Sequence, residues 1–204
     1  HQEEKQYEMT KESIDLINIK CHDLRHQIRE LSQGRTMVSK EELESIEDAI
    51  RIYDTKMKTG NTSLDILLQE KSLICAKNSI TFDCIIDGKQ LKFIKDSDIY
   101  SLFGNILDNA IESCLKLENK DQRTITLKVK KIANGVFCYE ENPIYTPIYF
   151  KDGLPISTKG DNRYHGFGMK SIANIVNSYQ GTLKIKSERN RFCLSIFFPE
   201  NENE

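Results

Sequence analysis

From Tyr100 to Leu117 the apolar positions recur at helical spacing. Leu102, Phe103, Ile106, Leu107, Ala110, Ile111 and Cys114 share one broad face when successive residues turn by about 100°. Asn105, Asp108, Asn109 and Glu112 gather on the other side. Asn and Asp are poor helix formers, because their short polar side chains compete for backbone hydrogen bonds. Two Asn one turn apart therefore read either as an unusual solvated face or as amide oxygens serving as hard ligands for Mg²⁺ and phosphate.

At the start of the chain, up to Met57, the pattern is purely helical. From Tyr7, residues Ile14, Ile17, Cys21, Leu24, Ile28 and Leu31 follow a 3-4 spacing, the seam of a coiled coil or helix bundle. Gly34 is a stop signal, and Ser39 to Glu42 has the form of a capping box that opens a second helix. There Leu43, Ile46, Ile50, Tyr53 and Met57 repeat the seam. Two such helices predict an antiparallel hairpin, and its small core predicts pairing with a second copy into a four-helix bundle. Thr59-Gly60-Asn61 breaks the pattern, placing a hinge and a domain boundary between residues 1–60 and 61–204.

After the break the pattern becomes mixed. It predicts a helix from Ser63 to Lys77, a strand from Ile80 to Ile86, a turn at Gly88-Lys89, and the Asn-bearing helix capped by Asp96 or Ser97. Arg123 to Ile132 and Val136 to Glu141 read as a strand pair across Ala133-Asn134-Gly135. Asn142 to His165 has no clear period and reads as a functional lid or a disordered loop. Gly166-Phe167-Gly168 opens a helix to about Tyr179, and two strands follow, Gly181 to Ser187 and Arg191 to Phe198. The expected fold class is α+β: a helical hairpin, then a sandwich of helices on a sheet.

Composition narrows the function only by exclusion. With 29 basic and 31 acidic residues in 204 the net charge is −2, so no nucleic-acid surface is expected. The six Cys, at 21, 75, 84, 114, 138 and 193, show no metal-ligand spacing, and most lie in apolar patterns and read as reduced core thiols. No apolar run approaches the roughly 20 residues of a membrane span. The chain opens on His1 rather than Met, and the expectation is a piece of a longer protein, any membrane-touching part of which lies outside this sequence.

The candidate chemistry sits at three places. In HDLRHQ, His22 lies beside the bundle seam with Asp23 next to it and His26 one turn on. It reads as a structural histidine, as half of a two-histidine metal clamp lacking a third ligand, or as a nucleophile oriented by Asp23. Gly166 and Gly168 lie where the lid meets a helix N-terminus, either a plain turn or a phosphate cradle. Lys159 and His165 are cationic or donor candidates on the same loop.

Taken in order, NILDNAIES, STKGDNRYHGFGMKSI and, less distinctively, HDLRH make the sequence resemble the cytoplasmic half of a sensor histidine kinase with a GHKL (Bergerat-fold) ATP-binding domain. It looks closest to the branch of Gram-positive peptide-sensing kinases, and the resemblance runs over roughly residues 10 to 198. It implies a dimeric four-helix bundle followed by a GHKL sandwich. It also implies Mg²⁺-ATP-dependent autophosphorylation on His22 with Asp23 as base or orienter, and transfer to a response-regulator receiver aspartate. Asn109 would hold Mg²⁺, with Asn105 and Asp108 in the same nucleotide-binding set. Gly166 and Gly168 would cradle phosphates, Lys159 would neutralise them, and His165 would stand by as a donor. The expected location is the cytoplasmic side of a plasma-membrane sensor.

Departures are visible. The usual first glycine box, DxGxG, is absent, and the place reads EENPIYTP. Asn142 is the candidate adenine contact through its side-chain carbonyl, with Glu140 or Glu141 as substitutes and a capping or turn role as the plain alternative. Asn105 stands where ATP-hydrolysing relatives carry a glutamate, and an amide cannot act as a base, which favours transfer over hydrolysis. His26 stands where many relatives have Asn, and Gln27 is a candidate to position water for dephosphorylation. The rival readings are a nucleotide-binding scaffold that transfers nothing and an ATPase switch on the same fold.

Overall fold

The computed structural model describes residues 57–146, 148, 150–151, 154–155 and 167–200. The helical hairpin expected before Met57, with His22 and Asp23, falls outside the described residues, as do Lys159, His165 and Gly166.

Helix α1 spans Thr62–Lys77. Asn61 caps it, its side chain accepting from the Leu64 N–H at 3.0 Å, and the Thr59 N–H and hydroxyl both reach the Asp65 carboxylate, at 2.8 and 2.7 Å. The break expected at residues 59–61 is therefore a bend stitched to the first turn of α1. Strand β1 (Thr81–Ile86) follows, then a short 3-10 turn over Gly88–Leu91 in place of the simple turn expected at Gly88-Lys89. Helix α2 covers Asp96–Leu115.

The cap of α2 differs from expectation. Neither Asp96 nor Ser97 is the N-cap; Lys95 is, and its side chain makes no capping bond. Instead the Tyr179 hydroxyl accepts from the Lys95 N–H at 3.1 Å and donates to the Asp98 carboxylate at 2.5 Å. A residue over 80 positions downstream supplies the cap, which no local rule could find.

Strands β2 (Thr124–Ile132) and β3 (Gly135–Pro143) form the expected antiparallel pair, joined by Ala133-Asn134 with Gly135 already in the strand opposite Ile132. Gly135 passes so close to the last strand, β7 (Arg191–Pro199), that a Cβ there would collide with the Phe198 carbonyl. Strand β3 runs two residues further than expected, so Asn142 is a strand residue paired with Phe192. The stretch read as aperiodic holds a small hairpin, β4 (Phe150–Lys151) with β5 (Leu154–Pro155). Helix α3 is Phe167–Ser178, and β6 (Thr182–Glu188) and β7 (Arg191–Pro199) close the chain.

The main sheet has the order β1-β2-β3-β7-β6, parallel only between β1 and β2. Its inner face carries Ile125, Leu127 and Val129 of β2, Val136 and Cys138 of β3, and Leu194, Ile196 and Phe198 of β7, all buried. Against these pack Leu64, Leu67 and Leu68 of α1, Leu102, Phe103, Ile106 and Leu107 of α2, and Ile172 and Val176 of α3. Each such side chain is worth about 1.5–3 kcal/mol on burial, so this layer supplies the cohesion of the domain. Every apolar position expected on α2, from Leu102 to Cys114, is buried. Cys75, Cys114 and Cys138 are buried free thiols, and burial pushes Cys75 and Cys114 up to about 11 and Cys138 to about 12. They are poor nucleophiles and behave as core residues. Arg123 ties the lower loops together, donating to the Leu117 carbonyl at 2.7 Å and to the Asn78 carbonyl at 2.9 Å.

Candidate functional site

Helix α2 lies between α1 and α3, so its polar side is divided between two neighbours. Asn105 and Asn109 face the N-terminal turn of α3. The Asn105 amide donates to the Ser101 carbonyl at 2.7 Å, and a Cβ placed on Gly168 would stand 3.1 Å from Asn105 Oδ1. The Asn109 amide donates to the Met169 sulfur at 3.5 Å, and Ser101 and Ser171 approach each other at 3.5 Å. Gly168 thus allows the first turn of α3, with its outward N–H groups and positive dipole end, to lie directly against both amides.

Asp108 lies on the other flank. Its Oδ1 is 2.8 Å from Lys71 Nζ, and Lys71 also reaches Glu70 at 3.1 Å. Glu70 in turn accepts from the Tyr100 hydroxyl at 2.9 Å. Burial alone would lower the Lys71 pKa, but Asp108 and Glu70 outweigh it and hold the ammonium above its ordinary value.

One turn beyond Asn109, the Ser113 hydroxyl donates to the Pro143 carbonyl at 2.8 Å and pins the end of β3 to α2. Asn142 is 2% exposed there, and its amide donates to the same carbonyl at 2.7 Å. That commits its nitrogen and leaves its carbonyl as the group with capacity to accept. Glu141, by strand alternation, turns to the outer face of the sheet, where Arg191 Nε lies 2.6 Å away and Tyr139 donates to it. The Tyr139 bond, ahead of Arg191, lowers its pKa. Glu140 shares the inner face with Asn142 and is 1% exposed; its Oε1 has no partner among the described residues. Burial first, and the neighbouring Glu141 second, push its pKa well up, against the pull of Arg191.

Asn105, Asn109, Gly168 and the Asn142-Pro143 corner therefore form one row along α2, while Asp108 belongs to a separate cluster facing α1. From Asn105 to Ser113 the row is about 12 Å long at the helical rise of 1.5 Å per residue. Among the described residues no three His, Cys, Asp or Glu gather in a way that could hold an ion. The donor set that does exist, neutral amide oxygens beside a helix N-terminus, suits Mg²⁺ shared with phosphate oxygens and water. Sequence reasoning missed Lys71, Ser113 and Met169. Only Lys71 left a signal, a charged residue in the apolar stripe of α1.

The family now follows. Residues 94–199 match the family model described as GHKL domain, and the chain belongs to that family. The catalytic domain of histidine kinase ThkA superposes with a TM-score of 0.50 at 18% identity, covering 67% of this chain and 94% of that one. The histidine kinase AdeS of Acinetobacter baumannii gives 0.47 at 10% identity over 89% of this chain and 95% of that one. The kinase domain of the blue-light-activated histidine kinase EL346 from Erythrobacter litoralis gives 0.46 at 11% identity over 96% and 94%. At such identities the likeness is one of fold. No curated protein matches the chain. Among the described residues no helix is long and apolar enough to cross a membrane.

Proposed function

We propose that the chain is the core of a dimeric sensor histidine kinase of the Gram-positive peptide-sensing kind. It binds Mg²⁺-ATP, phosphorylates itself on His22 and passes the phosphoryl group to an aspartate of a response-regulator receiver domain. The observation that carries this reading is the meeting of Asn105, Asn109 and Gly168, two amides against a glycine-opened helix N-terminus. Family membership supports nucleotide binding there.

In this reading Asn109 and Asn105 hold Mg²⁺ and the phosphates, with the N-terminal turn of α3 beneath them and Gly166, Lys159 and His165 contributed by the lid. The ion supplies charge neutralisation on the phosphoryl oxygens. Asn142 accepts from the adenine amine at the far end of the row, where its side-chain carbonyl, with the amide nitrogen turned to the Pro143 carbonyl, suits a base edge. A ring nitrogen of neutral His22 attacks the γ-phosphorus, the bond to the β–γ bridging oxygen breaks and ADP leaves. Asp23 orients the imidazole and takes its proton. The first hairpin provides the dimer and the receiver-docking surface. The protein works on the cytoplasmic side of a membrane sensor.

The decisive experiment is incubation with γ-labelled Mg²⁺-ATP. Acid-labile, base-stable label should appear on His22, and His22→Gln should reduce it to background while ATP binding persists. Full labelling of His22→Gln would overturn the assignment. Binding without any label would instead support the nucleotide-binding scaffold, a reading motivated by the missing DxGxG box.

A further inference from the structure

The unexplained feature of the domain is a buried cation. Leu64, Leu68, Lys71 and Cys75 follow one another at spacings of four, three and four, so Lys71 stands in the apolar stripe of α1. Its side chain is only 9% exposed, whereas its partner Asp108 is 63% exposed. The pair is lopsided: Asp108 is well solvated without Lys71, but Lys71 needs Asp108 and Glu70. An apolar residue of similar length would fill the position at equal or greater stability, since desolvating an ammonium offsets what its ion pairs return. Stability alone does not account for a lysine here.

Location offers an account. The adjacent residues Glu70 and Lys71 grip α2 at two points, Tyr100 and Asp108, eight residues and about 12 Å apart along the helix. Asp108 immediately precedes Asn109, about 100° round the helix from it. A hold on Asp108 from the α1 side therefore fixes the roll of α2 that aims Asn105 and Asn109 at α3. A rotation of about 20° would carry an atom at the helix surface, about 5–6 Å from the axis, through roughly 2 Å, enough to spoil a metal site.

We propose that Lys71 is a positioning residue of the nucleotide site, holding Asp108 so that Asn109 meets the metal-bound phosphates. This rests on the nucleotide reading given above. It assigns Asp108 an indirect part, in place of the direct cofactor contact expected from the sequence.

The test uses the full chain and four variants, Lys71→Met, Lys71→Arg, Asp108→Asn and Asn109→Ala. ATP affinity is measured by calorimetry with Mg²⁺ and with chelator, alongside the melting temperature. Lys71→Met should keep its melting temperature and its Mg²⁺-free affinity but lose about tenfold in Mg²⁺-ATP affinity, or roughly 1.4 kcal/mol. Lys71→Arg should recover most of the loss, and adding Asp108→Asn to Lys71→Met should cost nothing further. Should Lys71→Met fail to fold, Asp108→Asn carries the same comparison from the solvated side. Wild-type Mg²⁺-ATP affinity in Lys71→Met would overturn the proposal. So would a loss that is equal with and without Mg²⁺ and tracks the melting temperature. Asn109→Ala separates the two levels of inference: if it leaves the Mg²⁺-dependent increment intact, the reading of the site itself fails. If it removes the increment and Lys71→Met does not, only the role of Lys71 fails.

Discussion

Glu140 is the residue whose environment most contradicts its chemistry. Its carboxyl is enclosed between β3 and α2 and stays protonated well above the usual carboxylate range because burial disfavours the anion. In the unfolded chain the same group ionises near its ordinary pKa of about 4.3. Above that pH the native state holds a proton that the unfolded state has lost. Stability therefore falls as pH rises, by up to about 1.4 kcal/mol per unit, until the raised native pKa is reached. Below about pH 4 both states are protonated and the penalty vanishes. Glu140→Met, which removes the unpartnered oxygen and keeps the length, should be more stable than wild type at pH 7, with the difference shrinking towards pH 4. Urea midpoints across that range would show it, and an unchanged slope in the variant would assign the pH dependence to another group. Arg189 is a second local anomaly. With Asn190 it forms the two-residue turn between β6 and β7, and both have positive φ, 50° and 60°. Arginine is strained in that conformation, whereas Asn tolerates it. Arg189→Asn should raise the thermal midpoint, reflecting a gain of about 0.5–1 kcal/mol. Neither feature was legible in the sequence. The strands were, but a Glu in a strand gives no sign of which face it takes, and Arg-Asn is a weak turn signal.

Among the elements, α2 shows both how far pattern reading goes and where it stops. Its buried face was legible residue by residue, because helical period and apolar burial are the same fact seen twice. Its start was misread, because the cap comes from Tyr179 at the end of α3. Tyr179→Phe keeps the ring contacts with Phe93 and Phe198 but deletes the hydroxyl. It should cost about 1 kcal/mol and speed hydrogen exchange in the first turn of α2 more than in its middle. Equal acceleration along the whole helix would mean that the ring, rather than the bond to Lys95, holds α2. The division of the polar side of α2 between α1 and α3 was equally invisible. Asn105, Asp108, Asn109 and Glu112 look alike on a helical wheel, and only the neighbours separate Asp108 from the two amides.

At the scale of the molecule, the working hypothesis joins the sheet domain to a dimeric hairpin through the bend at residues 59–61. The seam of Ile14, Ile17, Cys21, Leu24, Ile28 and Leu31 is the proposed dimer contact. Leu24→Asp places a charge in it and should halve the mass measured by light scattering, while the sheet domain keeps its nucleotide affinity. A variant that remains a dimer would move the contact elsewhere. Because Thr59 is bonded to Asp65 and α1 in turn grips α2, a displacement entering at residue 57 has a continuous path of packed contacts to the amides.

Within the described domain the sequence by itself determined α1 to α3, β1 to β3, β6 and β7 in their chain order, and the paired amides of α2, since period and local chemistry are properties of neighbours along the chain. It also carried the family motif, because NILDNAIES lies within one helix and its polar residues are neighbours along the chain. Tertiary structure alone decided the sheet order, the borrowed cap of α2, the burial of Glu140 and the hold of Lys71 on Asp108. Each depends on groups far apart in sequence meeting across a packed interface, and no local rule carries that distance.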